Sequence, residues 1–203
     1  MGIAETIALT LGVGWASGLN LYATVFMLGL LQTTGAAQLP ADLAVCGEPW
    51  VMVAAGLMYC VEFFADKIPG VDNLWDVAHT FLRIPAGAVL AAGASMELGA
   101  GAQVAAALVG GTLAAGTHAT KAGTRAAINV SPEPFSNWTA SVGEDLAVIG
   151  GLWAALFHPW LFVLLLVAFV LGAIWLMPRI WRGLQRIAGR LRARSGDAAS
   201  DAP

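Results

Sequence analysis

Six apolar stretches alternate with short polar connections, at 7–31, 50–65, 75–96, 101–120, 138–157 and 160–177. Crossing a bilayer takes about 20 apolar residues, or somewhat fewer where the flanks reach the interface. Only 11% of the 203 residues are charged, against about 25% in soluble domains. A water-soluble fold of this size has no interior large enough for so much apolar surface. The expected class is therefore all-α, a polytopic membrane protein of about six transmembrane helices.

Charge placement adds an orientation. The connections at 32–48, 97–100 and 158–159 contain no Lys or Arg. The others hold Lys67, Lys121 and Arg125, and six Arg follow from Arg179. The excess of Lys and Arg on cytoplasmic loops predicts a multi-pass protein of the bacterial inner membrane with both termini in the cytoplasm. Trp50, Trp75, Trp138, Trp160 and Trp181 stand at the ends of apolar stretches, as interface-anchoring side chains do. Cys46 and Cys60 fall at different depths on this topology, which predicts no disulfide between them.

Three regions follow. Residues 1–178 form the transmembrane domain. Residues 179–194 read as a basic amphipathic helix lying on the lipid surface, with Arg179, Arg182, Arg186 and Arg190 toward anionic headgroups. The remainder, 195–203, reads as a disordered tail. Ala65-Asp66-Lys67 and Ala119-Thr120-Lys121 each precede a turn, an Asn (Asn73, Asn137) and a Trp opening the next helix. This predicts a parallel internal repeat, and repeats of that kind place sites at their interface.

An ionised side chain at the centre of a membrane helix costs about 2.5–3.5 kcal/mol on insertion scales, so such groups turn toward partners or water. Here they fall on shared helix faces. Glu62 and Asp66 are four apart, and Asp76, His79 and Arg83 are spaced three and four. Asn137, Ser141, Glu144 and Asp145 form a third stripe, and Ser17, Asn20 and Thr24 an uncharged fourth. Converging, they would form a polar cavity open to the cytoplasm, with Asn20, Asn73 and Asn137 as neutral ligands around the charges. Arg83 would pair with Glu62, Glu144 or Asp145; the bland alternative is an ion pair that only fixes packing. Small residues at Ala102, Ala106, Gly110 and Ala114 mark a close-packing face. No histidine pair has metal-ligand spacing, and no cofactor is expected. The basic tail lacks interleaved aromatics, which argues against nucleic acid.

Gly18-Leu-Asn-Leu-Tyr22, the run from Ile68 through Asp72-Asn73-Leu-Trp-Asp76, and Asn137 followed by Glu144 resemble a bacterial membrane-protein family, domain of unknown function 4126. The similarity covers 12–159. The chain departs from that pattern near Asn20, where an Arg is expected, and in its longer polar loop at 121–137. The resemblance implies a multi-spanning fold and brings no activity with it.

The function expected from the residues is a small transporter or channel-like protein, not an enzyme, that handles a proton, an ion or a small polar solute and forms a homo-oligomer. The alternative is a non-catalytic membrane scaffold or assembly factor. An intramembrane lipid enzyme ranks last, because no nucleophile–base pair is placed.

Overall fold

A computed structural model describes residues 1–68, 70–130 and 134–200, with side chains for all of these except 134, 187, 188 and 190–200. The described elements are helical: α1 (Ile3–Leu19), α2 (Leu21–Thr33), the single turn α3 (Ala41–Ala44), α4 (Pro49–Ala65), α5 (Val71–Ala94), α6 (Ala100–Ile128), α7 (Pro134–Phe157) and α8 (Pro159–Ser200). Among them α5, α6, α7 and the first part of α8 are long and apolar enough to cross a membrane. The α3 segment and α4, joined at a 66° bend, make a fifth candidate if counted as one span.

The structure offers four candidate spans, or five, against the six expected, and the difference lies in the first stretch. It is two short helices, 17 and 13 residues long, broken at Asn20, whose backbone is extended (φ −150°, ψ 102°). Packing partners give the direction of each half. Gly14 lies against Gly110, and Gly18 against Ala114 and Thr117, so α1 runs parallel to α6. Gly12 meets Ala155, and Trp15 meets Gly151, so α1 runs antiparallel to α7. Phe26 covers Gly56, and Gly29 meets Met52, so α2 runs antiparallel to α4.

Since α4 and α6 both run toward the connections bearing Lys67, Lys121 and Arg125, α1 descends toward that basic end and α2 returns from it. At about 1.5 Å per residue neither arm matches the roughly 30 Å hydrocarbon core. The pair is a helical hairpin with its tip at Asn20. Met1 and Glu5 consequently share a surface cavity with residues 36–40, Glu97 and Phe157, at the far end of the bundle. At the basic end Met177 of α8 packs on Gly123 of α6. Helix α1 thus begins at the far end and α8 runs toward the basic end, whereas the sequence reading puts both termini on one side.

Helix α6 continues to Ile128, so the first part of the loop expected at 121–137 is helix; residues 131–133 lie outside the described residues. Helix α8 extends to Ser200, over part of the stretch expected to be disordered, and 201–203 lie outside the described residues.

In lipid there is no hydrophobic force between helices, so close van der Waals approach must hold them. The predicted stripe on α6 does this: Ala106, Gly110 and Ala114 are buried and Ala102 is half-buried. A methyl group added at Gly14 would come 2.7 Å from Gly110 Cα, and one at Gly87 would come 2.6 Å from Ala114 Cβ. The stripe thus brings α1, α5 and α6 nearly backbone to backbone.

A buried ion cluster under the hairpin tip

At the basic end, three cations and four carboxylates from four helices meet. Arg83 of α5 donates to Glu62 (Nη2 to Oε1, 2.6 Å) and to Asp76 (Nη1 to Oδ1, 3.0 Å). Lys121 of α6 lies 2.7 Å from Asp66, 3.4 Å from Glu62, 3.5 Å from Glu144 and 3.9 Å from Asp76. Arg125, one turn further along α6, forks onto both Glu144 oxygens at 2.7 and 3.2 Å. It also donates to the carbonyls of Asp66 and Asn137, each at 3.0 Å. The side chains of Arg83, Glu62 and Arg125 are 0% exposed; Glu144, at 14%, is the most open of the seven.

Helix periodicity explains the gathering. Positions 62 and 66 of α4, 76 and 83 of α5, and 121 and 125 of α6 each lie about one or two turns apart, on one face. On α6 that face continues the small-residue stripe in register: Gly110, Ala114, Thr117 and His118, Lys121, Arg125. Where the stripe ends, room opens for side chains, and the charges fill it.

Polar neighbours seal the edges. Asp72 accepts from Nδ2 of Asn129 with both oxygens, at 3.0 and 2.9 Å, and from the backbone N–H of Gly70 and Asn73. Asn137 donates to Asn129 Oδ1 at 2.7 Å. His118 Nδ1 stands 3.0 Å from an Arg83 N–H donor and therefore accepts; its other nitrogen faces the Thr80 hydroxyl at 2.8 Å. His79 bonds the Trp75 carbonyl and the Tyr22 hydroxyl, linking α5 to α2. Lys67 donates to Ser141 and to the Phe63 carbonyl.

The hairpin tip rests on this cluster. Asn20 Oδ1 accepts the Ala23 N–H at 2.9 Å and so caps α2, while Nδ2 donates to Asp145 at 3.1 Å. Lys121 donates to the carbonyl of Leu19, the last residue of α1, at 3.1 Å. A helix break leaves backbone groups without intrahelical partners; Lys121 satisfies the carbonyl of Leu19 and Asn20 the N–H of Ala23.

Of the residues predicted for the site, Glu62, Asp66, Asp76, Arg83 and Glu144 meet directly. Asn20 and Asp145 form one flank, Asn137 lies behind Arg125, and His79 reaches toward α2. Asn73 stands apart, half-buried, giving its backbone N–H to Asp72. Two central cations, Lys121 and Arg125, were read only as loop charges; their three- and four-residue spacing from Gly110 and Ala114 is the signal that places them. The polar faces close on one another, with the side chains of the ion cluster between 0 and 14% exposed. An apolar groove of about 520 Å³ lies between α2, α4 and α5. In the tail, the Arg179 guanidinium lies 3.7 Å over the Trp175 ring. Arg182 and Arg186 are exposed, and the Arg190 side chain lies outside the described residues.

Four carboxylate oxygens sit in this region with no hydrogen-bond partner among the described residues: Glu62 Oε2, Asp66 Oδ1, Asp76 Oδ2 and Asp145 Oδ2. Among the described residues no three His, Cys, Asp or Glu side chains converge as metal ligands would.

Residues 7–179 match the family described as Domain of unknown function (DUF4126). The chain belongs to that family. Comparison with curated proteins and with solved structures returned no match. The matched residues of DUF4126 take in the ion cluster, most of the hairpin and the candidate spans up to residue 179.

Proposed function

We propose that this DUF4126 protein is a small transporter or channel-like protein in which the ion cluster is the closed state of a path for a proton, an ion or a small polar solute. One observation carries the reading: a broken helical hairpin ends on a nest of buried charges. Discontinuous helices whose tips meet coupling charges inside the membrane are the usual architecture of secondary-transporter sites, and intramembrane ionisable groups are functional by default. With the basic end in the cytoplasm of an inner-membrane protein, α8 delivers the C-terminus inside, and the hairpin enters from outside. Five crossings is few for a transporter, which favours a homodimer. The pairs α4–α5 and α6–α7 run in the same sense, as a parallel repeat requires.

The test is flux in proteoliposomes. Wild type is expected to move protons or a small cation, and Glu62→Gln or Arg83→Ala to abolish the movement while the protein remains folded. Absence of flux in the wild type, or full flux in both variants, overturns the reading. Orientation has its own test. In a cysteine-free background, Gln38→Cys and Glu5→Cys should react with an impermeant thiol reagent from outside, and Gly183→Cys only after the cytoplasmic face is opened.

The burial of the ion pairs, none of whose side chains is more than 14% exposed, favours the second reading, a membrane scaffold or assembly factor in which the cluster is packing alone. Deleting residues 179–203 separates the two. Flux that survives the deletion supports transport; loss of a defined partner with no flux at any stage supports the scaffold.

A further inference from the structure

We infer that the cluster binds one exchangeable proton, held among Glu62, Asp66 and Asp76. The inference deepens the transport reading and rests on it only for the proton's purpose, not for its presence.

The charge count leads there. Around Lys121 stand Arg83 and Arg125 as fellow cations and Glu62, Asp66, Asp76 and Glu144 as anions, three positive against four negative. The groups at the margin do not correct the balance. His118 accepts an Arg83 N–H and is therefore neutral, and His79 is turned away from the carboxylates, bonded to Tyr22 and the Trp75 carbonyl. Lys67, bonded to Ser141 and Phe63, and Asp145, bonded to Asn20, bring one charge of each sign. Asp72 needs no counter-charge, since four N–H donations from Asn129, Gly70 and Asn73 surround it.

An uncompensated buried carboxylate takes up a proton instead of remaining ionised. The geometry shows where. The fork of Arg125 engages both oxygens of Glu144, so that side chain has no free oxygen. Glu62, Asp66 and Asp76 are each bonded through one oxygen, at 2.6, 2.7 and 3.0 Å. Each keeps its other oxygen buried and unpartnered, on side chains no more than 4% exposed. A single proton, forming one O–H bond on one of these oxygens, neutralises the excess. It leaves as hydronium when the cluster opens to water, past Glu144, the most exposed member.

Infrared spectroscopy of the full chain in lipid nanodiscs, with hydrogen–deuterium exchange, reads the C=O stretch of a protonated carboxyl directly and needs no flux. Wild type at neutral pH should show one such group. Because the excess is a single charge, Glu62→Gln, Asp66→Asn and Asp76→Asn should each remove the band. Lys121→Gln, which deletes a cation, should double it. A wild type without the band overturns the inference, as does a band that all three neutralising variants keep, or one that sodium ions displace at fixed pH. The two proposals fail separately: a band with no flux retains the proton site and removes transport, while flux with no band does the reverse.

Discussion

The two halves of the α1–α5–α6 bundle are held together by opposite means. Toward the far end the contacts are Gly14 on Gly110, Gly87 on Ala114 and Ala91 on Gly110, with hardly a polar side chain among them. Two turns further, Arg83 of α5 and Lys121 of α6 reach Glu62 of α4, and buried charge takes the place of the small residues. In the small-residue half a contact is worth its van der Waals area and tolerates only side chains no larger than those present. In the charged half each group also shields its neighbours, so no member can be removed alone. The first half fixes how near the helices come, and the second fixes which residues face one another.

Removing one ion partner should do the most damage. Arg83→Ala strips Glu62 and Asp76 of their shared cation, and breaking a buried pair this way costs about 3–5 kcal/mol. Denaturant titration in micelles should show it. The double variant Arg83→Met with Glu62→Met should regain most of that loss, since replacing both members by apolar groups is often neutral. If the double variant is no better than the single one, the charged half is not a set of mutually shielding charges.

Enlarging the small-residue half should cost less. Gly14→Leu and Gly110→Leu force backbones apart where even a methyl group has no room. The expected loss is about 1–3 kcal/mol, read in the same titration, with more in a site that cannot relax. At the hairpin tip, Asn20→Ala removes the α2 cap, about 1 kcal/mol, and withdraws the donor from Asp145. Protection of the Ala23 and Thr24 amides from hydrogen exchange should fall while that of α6 amides holds. The smallest effect belongs to Gly116→Ala, where an added methyl group meets no neighbour. Stability should change by no more than about 1 kcal/mol and toward greater helix stability; a marked loss there would mean that α6 has a packing partner on that face.

Much of this was legible in the chain. The small stripe on α6 and the charged faces on α4, α5 and α7 follow from three- and four-residue spacing, which a helix converts directly into shared faces. The break at Asn20 was not. Ser17, Asn20 and Thr24 read as polar positions in one long span, because hydropathy averages over the window and registers neither an extended residue nor a reversal. Only the cap from Asn20 to Ala23 marks it, and an Asn inside an apolar run carries that information weakly. The direction of the first helix depends on that break: read as one crossing, residues 7–31 put the start of the chain at the basic end, whereas α1 packs with its start at the far end. Lys121 and Arg125 were assigned to a loop for a related reason, since polar residues at the end of a span resemble a connection until the helix is seen to continue to Ile128.

The bond from Lys121 to the carbonyl of Leu19 joins residues 102 positions apart, and that of Asn20 to Asp145 joins residues 125 apart. During synthesis the amino-terminal arm emerges first, yet the groups that make its turning point tolerable are made more than a hundred residues later. The hairpin must therefore wait, near the interface or in the care of the insertion machinery, until α6 and α7 have arrived. Whatever stalls those later helices will leave the beginning of the protein unplaced.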